Sequence, residues 1–71
     1  MRRYDRAAGT LNLWMRERAV PSCQLARQTG IDPGTLRRIL SGQQNAISTR
    51  NMVALARFFG ISLRELIDKL S

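Results

Sequence analysis

Apolar residues recur along the chain at helical intervals, in five short stretches separated by turn residues. Leu11, Trp14 and Met15 stand at i, i+3 and i+4, with Arg16, Glu17 and Arg18 on the other side, predicting a first helix over 11–18. Asp5 and Thr10 are both candidate caps for it, with Gly9 between them, and Pro21 ends it or opens the next turn. Leu25 and Ala26 give a second helix its apolar side, with Ser22 as its N-cap, Thr29 as its last residue and Val20 just outside. Leu36, Ile39 and Leu40 do the same for a third, which starts at Asp32 or Pro33 and stops at Ser41-Gly42. Residues 43–47 lack periodicity and read as a polar loop anchored by Ile47. Met52, Leu55, Ala56 and Phe59 share one face of a fourth helix, capped by Ser48 or Thr49 and ended by Gly60. The S-x-x-E run at Ser62–Glu65 is a capping box that opens a fifth helix, with Leu63, Leu66, Ile67 and Leu70 on one side. With no strand pattern and no internal repeat, the expected fold class is all-α.

Residues 22–41 organise the rest. Gly30 falls where the second helix has to stop, since glycine enters the left-handed C-cap conformation without a Cβ penalty. Asp32-Pro33 restarts the chain, because aspartate caps well and proline at the first helical position forfeits no hydrogen bond. Ala26 is small where two helices joined by so short a turn cross. This is a helix-turn-helix by its own chemistry.

The order Leu25-Ala26, Gly30-Ile31, Leu36, Ile39-Leu40 and Ser41-Gly42 resembles the lambda-repressor/Cro-like (XRE-type) helix-turn-helix domain, over about Leu11 to Leu70. The resemblance implies a five-helix DNA-binding domain, with 1–10 as a basic lead-in and 11–71 as the single domain. Three departures bear on specificity. Pro33-Gly34 open the third helix where many relatives carry Gln or Ser. The following loop is Gln-Gln-Asn rather than Lys- or Arg-bearing. Ser41 and Met15 stand where many relatives place a Glu–Arg ion pair.

Composition narrows the function. A 71-residue chain is one domain with a small core. Twelve basic residues against five acidic give a net charge of +7, which calls for a polyanionic partner. An anionic membrane would need a basic amphipathic helix, but the arginines are spread over every segment. The apolar runs are too short to span a bilayer, and no signal peptide is expected, so the expected location is the cytoplasm. With no His, a single Cys23 and scattered carboxylates, neither a catalytic constellation nor a metal or cofactor site is expected. Cys23 reads as a small, partly buried side chain in a helix.

Candidate DNA contacts follow from the third helix, whose first turns approach base edges when it lies in a major groove. Pro33 and Gly34 can offer only van der Waals contact. Thr35 can reach a base, a thymine methyl or a phosphate. Arg37 and Arg38 point away from the apolar face and are the candidate base readers, since arginine binds guanine O6 and N7 bidentately. Asp32 reads as a cap rather than a base contact. The second helix offers its N-terminus to a phosphate, with Ser22 and Gln24 adding hydrogen bonds and Arg27 on its polar side. The resemblance adds Gln43, Gln44, Asn45, Thr49, Arg50 and Asn51 as backbone contacts. Arg2, Arg3 and Arg6 form either an arm against DNA or a solvated terminus. Trp14 reads as a core or dimer contact rather than a base-stacking ring.

A single recognition helix covers few base pairs, so a homodimer on near-palindromic double-stranded DNA is expected. The resemblance places its interface at Phe58, Leu66 and Leu70. The expected function is a small phage- or prophage-type repressor. The alternative is a protein-interaction module, such as an antitoxin holding a toxin, or a partner of another regulator.

Overall fold

The computed structural model describes residues 2–71. Their element order is β1 (Arg2–Arg3), α1 (Ala7–Glu17), α2 (Ser22–Thr29), α3 (Pro33–Ser41), β2 (Ala46–Ile47), α4 (Thr49–Phe59) and α5 (Leu63–Leu70). The fold is the expected five-helix, all-α domain, with one small addition. β1 and β2 pair antiparallel, Arg2 opposite Ile47 and Arg3 opposite Ala46. Two-residue strands are too short to leave an alternating pattern in a sequence.

The pairing corrects the reading of residues 1–10 as a lead-in, for all but Met1, which lies outside the described residues. The Tyr4 amide donates to the Asn45 carbonyl at 2.8 Å and the Arg6 amide to that of Leu70 at 2.8 Å. Tyr4 is buried in the core. The helix that follows starts at Ala7, not Leu11, and Arg6, rather than Asp5 or Thr10, is its N-cap, without a side-chain cap bond. Ala7, Leu11 and Met15 form a buried stripe at intervals of four, and the small Ala7 concealed its first step.

One apolar cluster unites all five helices. No polar or charged side chain is buried among the described residues. The inner face of α3 supplies Leu36 and Ile39, at 1 % and 0 % exposure. Trp14 packs partly buried against this cluster, its ring edge-on to Phe59 at 5.1 Å between centroids. Cys23, by contrast, is exposed.

The α2–turn–α3 unit is built as its residues dictate. Gly30 is left-handed (φ 75°), and its amide closes the last turn of α2 on the Ala26 carbonyl. Asp32 caps α3 by accepting the Thr35 amide, with Pro33 as the first helical residue. One cap differs from expectation: α2 is preceded by Pro21 in extended conformation, Ser22 is already helical, and no side chain caps the start. The Pro21 carbonyl accepts the amides of both Gln24 and Leu25, so the first turn closes on backbone alone.

Candidate nucleic-acid interface

With Leu36 and Ile39 turned inward, α3 presents Pro33, Arg37 and Arg38 to solvent and leaves Gly34 and Thr35 half-exposed. Arg37 stands between two shallow clefts. One, about 190 Å³, is lined by Pro33, Leu36 and Arg37 together with Ser22, Cys23 and Ala26 of α2. The other, about 420 Å³, is lined by Gly34, Arg37, Arg38, Ser41 and Gln43. The outer face of α3 thus adjoins the start of α2 on one side and the following loop on the other. Arg27 lies across a further hollow, shared with Gly30, Ile31, Asp32 and Pro33.

The arginines of this surface form no ion pair with another described residue. The one ion pair among the described residues joins Arg18 to Glu17 at 3.8 Å, on the last turn of α1 and its cap. Arg27, Arg37, Arg38 and Arg50 are all exposed. Such guanidinium groups bind phosphate or guanine edges without first breaking a salt bridge.

Arg37 and Arg38 differ in their surroundings. Arg38 sits in a chain of hydrogen bonds: its Nη2 donates to Thr35 Oγ1 at 3.3 Å and its Nε to Gln44 Oε1 at 3.4 Å. Thr35 Oγ1 donates in turn to Asp32 Oδ2 at 3.5 Å, and Gln44 Nε2 to the Ala46 carbonyl at 2.8 Å. The sequence reading missed this chain. Its only visible trace is a polar residue at each of positions 32, 35, 38 and 44.

The loop candidates divide likewise. Gln43 is exposed, whereas Gln44 and Asn45 are half-buried and internally engaged, Asn45 Nδ2 donating to Asp5 Oδ1 at 3.4 Å. Thr49 and Arg50 open α4 on the surface, and the Asn51 amide is taken by the Ser48 cap. Gln24 is half-buried beside an exposed Ser22. Arg2, Arg3 and Arg6 are exposed but pinned by their backbone, neither a free arm nor a loose end.

The proposed dimer residues need correction. Leu66 and Leu70 are both at 0 % exposure, their side chains consumed by the core of their own chain. They fall on the inner side of α5, which the apolar pattern alone cannot distinguish from a docking face. Phe58 is half-exposed and lines a cleft of about 430 Å³ with Gln28, Thr29, Ala54 and Arg57.

Of the two residues that stand where relatives place the ion pair, Met15 is buried in the core and Ser41 Oγ donates to the Arg38 carbonyl. Asn12 ties α1 to α3: its Nδ2 donates to the Ala8 carbonyl of its own helix at 2.7 Å and to the Leu40 carbonyl at 2.8 Å. A lone asparagine in an amphipathic stretch gives no sequence signal of that role.

No helix among the described residues is long and apolar enough to cross a membrane. Compared with known families, residues 24–66 match a helix-turn-helix family model, which covers more than half of the chain. No curated protein and no solved structure matches it.

Proposed function

The chain belongs to the lambda-repressor-like (XRE-type) helix-turn-helix family of DNA-binding transcription regulators, and from that premise we propose a small repressor of phage or prophage type that binds a near-palindromic operator as a homodimer. The observation that carries this reading is the outer face of α3, where Arg37 and Arg38 stand exposed beside the start of α2 and the following loop. In a major groove this face puts Arg37 and Arg38 against base edges, with Pro33, Gly34 and Thr35 in van der Waals reach. Ser22, Gln24, Arg27, Gln43, Thr49 and Arg50 serve as its backbone contacts. Bound at a promoter in the cytoplasm, the protein excludes polymerase by occupancy.

Two copies of α3 set about 34 Å apart read two successive major grooves, and this spacing dictates the near-palindrome. With Leu66 and Leu70 withdrawn into the core, the copies meet around Phe58. The net charge of +7 adds nonspecific affinity that falls steeply with salt.

Selection of duplexes from a random pool near physiological salt tests the reading. Enrichment of a pseudo-palindrome with half-sites about 10 base pairs apart is the expected result. A single enriched half-site removes the symmetric dimer and keeps the DNA reader. Binding without any enrichment removes the operator and turns attention to a protein partner, such as a toxin.

A further inference from the structure

We propose that Gln44 is a positioning residue for Arg38, and that Arg38, held this way, is the guanine-reading side chain of α3. This rests on the DNA-binding reading above and narrows it to one base-reading residue and the loop residue that aims it. Arg38 and Arg37 are adjacent, exposed and identical in type, so composition and pattern cannot separate them. Their surroundings do. The Arg38 guanidinium is held from two directions, by Thr35 one turn earlier on α3 and by Gln44 from the loop beyond its end.

Each holder is itself held. Thr35 bonds to the Asp32 carboxylate that caps α3, through both its amide at 3.1 Å and its hydroxyl at 3.5 Å. Gln44 is fixed at both ends: its amide donates to the Arg38 carbonyl at 3.1 Å and its side-chain Nε2 to the Ala46 carbonyl. Ala46 belongs to β2, which β1 pairs through Arg3. The chain of contacts therefore runs from the cap of α3, across the arginine, to the two-stranded sheet.

The donor count leaves Arg38 able to read a base. A guanidinium carries five N–H groups, and the contacts to Thr35 and Gln44 engage one on Nη2 and the one on Nε. Three remain, including both on Nη1, enough for a bidentate contact to guanine O6 and N7. The glycine at 34 fits the same arrangement. A Cβ there would come within 3.1 Å of Asp32 Oδ2, tight against the cap, and would meet Arg38 Nη1 at 3.7 Å in ordinary contact. A long, flexible side chain normally loses rotamer freedom on docking, and a preset one loses less. The Gln-Gln-Asn loop thus trades a cationic phosphate contact for control of a base contact.

The test is duplex selection, followed by competition binding on the selected site and its single-base variants, with the full chain and five variants. Arg38→Ala is expected to abolish preference at one guanine per half-site, whereas Arg37→Ala retains it. Gln44→Ala is expected to cut that same preference roughly tenfold, the scale of one hydrogen bond, with other positions unchanged. Gln44→Glu keeps an acceptor for Nε but loses the donor to the Ala46 carbonyl, so it is expected to restore the preference only in part, at lower overall affinity from its added charge. Arg38→Lys keeps a donor for guanine but has no Nε–H for Gln44 to hold, and is expected to retain only a weakened preference. Thermal melting of each free protein separates aiming from folding: the Gln44 variants are expected to melt together. Preference at that guanine unchanged in Gln44→Ala overturns the positioning role while leaving the DNA reader standing. Loss of the guanine with Arg37→Ala instead of Arg38→Ala overturns the assignment of the reader. A parent protein with no base preference at all overturns the operator reading and this inference with it.

Discussion

Helices α1 and α3 pack against each other, yet they are specified in opposite ways. α3 carries its own instructions: Asp32 caps it through the Thr35 amide, Pro33 takes the first helical position, and Gly42 ends it in a left-handed conformation. α1 carries few. Its N-cap, Arg6, makes no side-chain cap bond, Gly9 sits inside it, and the residue that turns the chain after its end is Ala19, at a left-handed φ of 54°. What makes α1 a helix is the stripe of Ala7, Leu11 and Met15 pressed into the core. The helix that bears the candidate interface is fixed locally, and the one behind it is fixed by packing.

The largest effect expected from this difference is in the core contact of α1. Leu11 is fully buried, and Leu11→Ala removes its transfer free energy and leaves a cavity, for a loss of about 2–5 kcal/mol. Small domains have on the order of 5–10 kcal/mol in total, so urea unfolding of this variant is expected near the start of the titration. A loss below about 1 kcal/mol, outside the range for such cavities, would mean that α1 is not held by packing.

At the other helix, the cap is the lever. Asp32→Ala removes the acceptor of the Thr35 amide and is expected to cost about 1 kcal/mol, or roughly 4–8 °C in melting temperature for a domain of this size. Arg6→Ala, at the equivalent position of α1, removes no side-chain cap bond and is expected to leave the melting temperature close to that of the parent. Equal shifts for the two variants would erase the contrast.

The same contrast explains what could be read from the sequence. α3, α4 and α5 announce themselves through Asp32, Ser48 and Ser62, each of which caps as its residue type predicts. The turn at Gly30 and the buried face of α4 were legible for the same reason: residue type and local conformation agree. The start of α1 was not legible, because Gly9 and Thr10 read as a boundary while Tyr4 and Ala7 are committed by contacts distant in sequence. At the site, exposure of Arg37 and Arg38 followed from the apolar spacing of Leu36 and Ile39. The Arg38–Gln44 contact spans six residues and a turn, a distance no periodicity reports. Burial of Leu66 and Leu70 was legible as an apolar face but not as a face already occupied.

If packing rather than propensity holds α1, its local mismatches can be repaired without touching a contact. Gly9 is exposed, lies inside the helix, and has open space where a Cβ would project. Gly9→Ala is therefore expected to stabilise the domain by about 1 kcal/mol, through a smaller loss of backbone freedom on folding. A rise of roughly 4–8 °C in melting temperature is the corresponding signal. No rise would show that position 9 is not helical in solution.

The smallest effect belongs to the other end of the same helix, where α1 and α4 finish in the same hydrogen-bond pattern on different residues. After α1 the Val20 amide returns to the Met15 carbonyl and that of Ala19 to Arg16, and after α4 the Ile61 amide returns to Ala56 and that of Gly60 to Arg57. Both are Schellman turns, which need a left-handed residue at the first position beyond the cap. α4 has Gly60 there, at φ 71°, and α1 has Ala19. Relieving the Cβ of Ala19 is worth about 1–2 kcal/mol, and the extra freedom of glycine in the unfolded chain offsets about 0.4–1 of it. Ala19→Gly is thus expected to raise stability by roughly 0.5–1 kcal/mol, while Gly60→Ala, the reverse exchange in the same turn, lowers it by a similar amount. Melting the two variants beside the parent tests the symmetry directly. Opposite shifts of similar size would show that the two turns differ only in the residue they use, whereas destabilisation by both would mean that Ala19 makes a contact worth more than its strain.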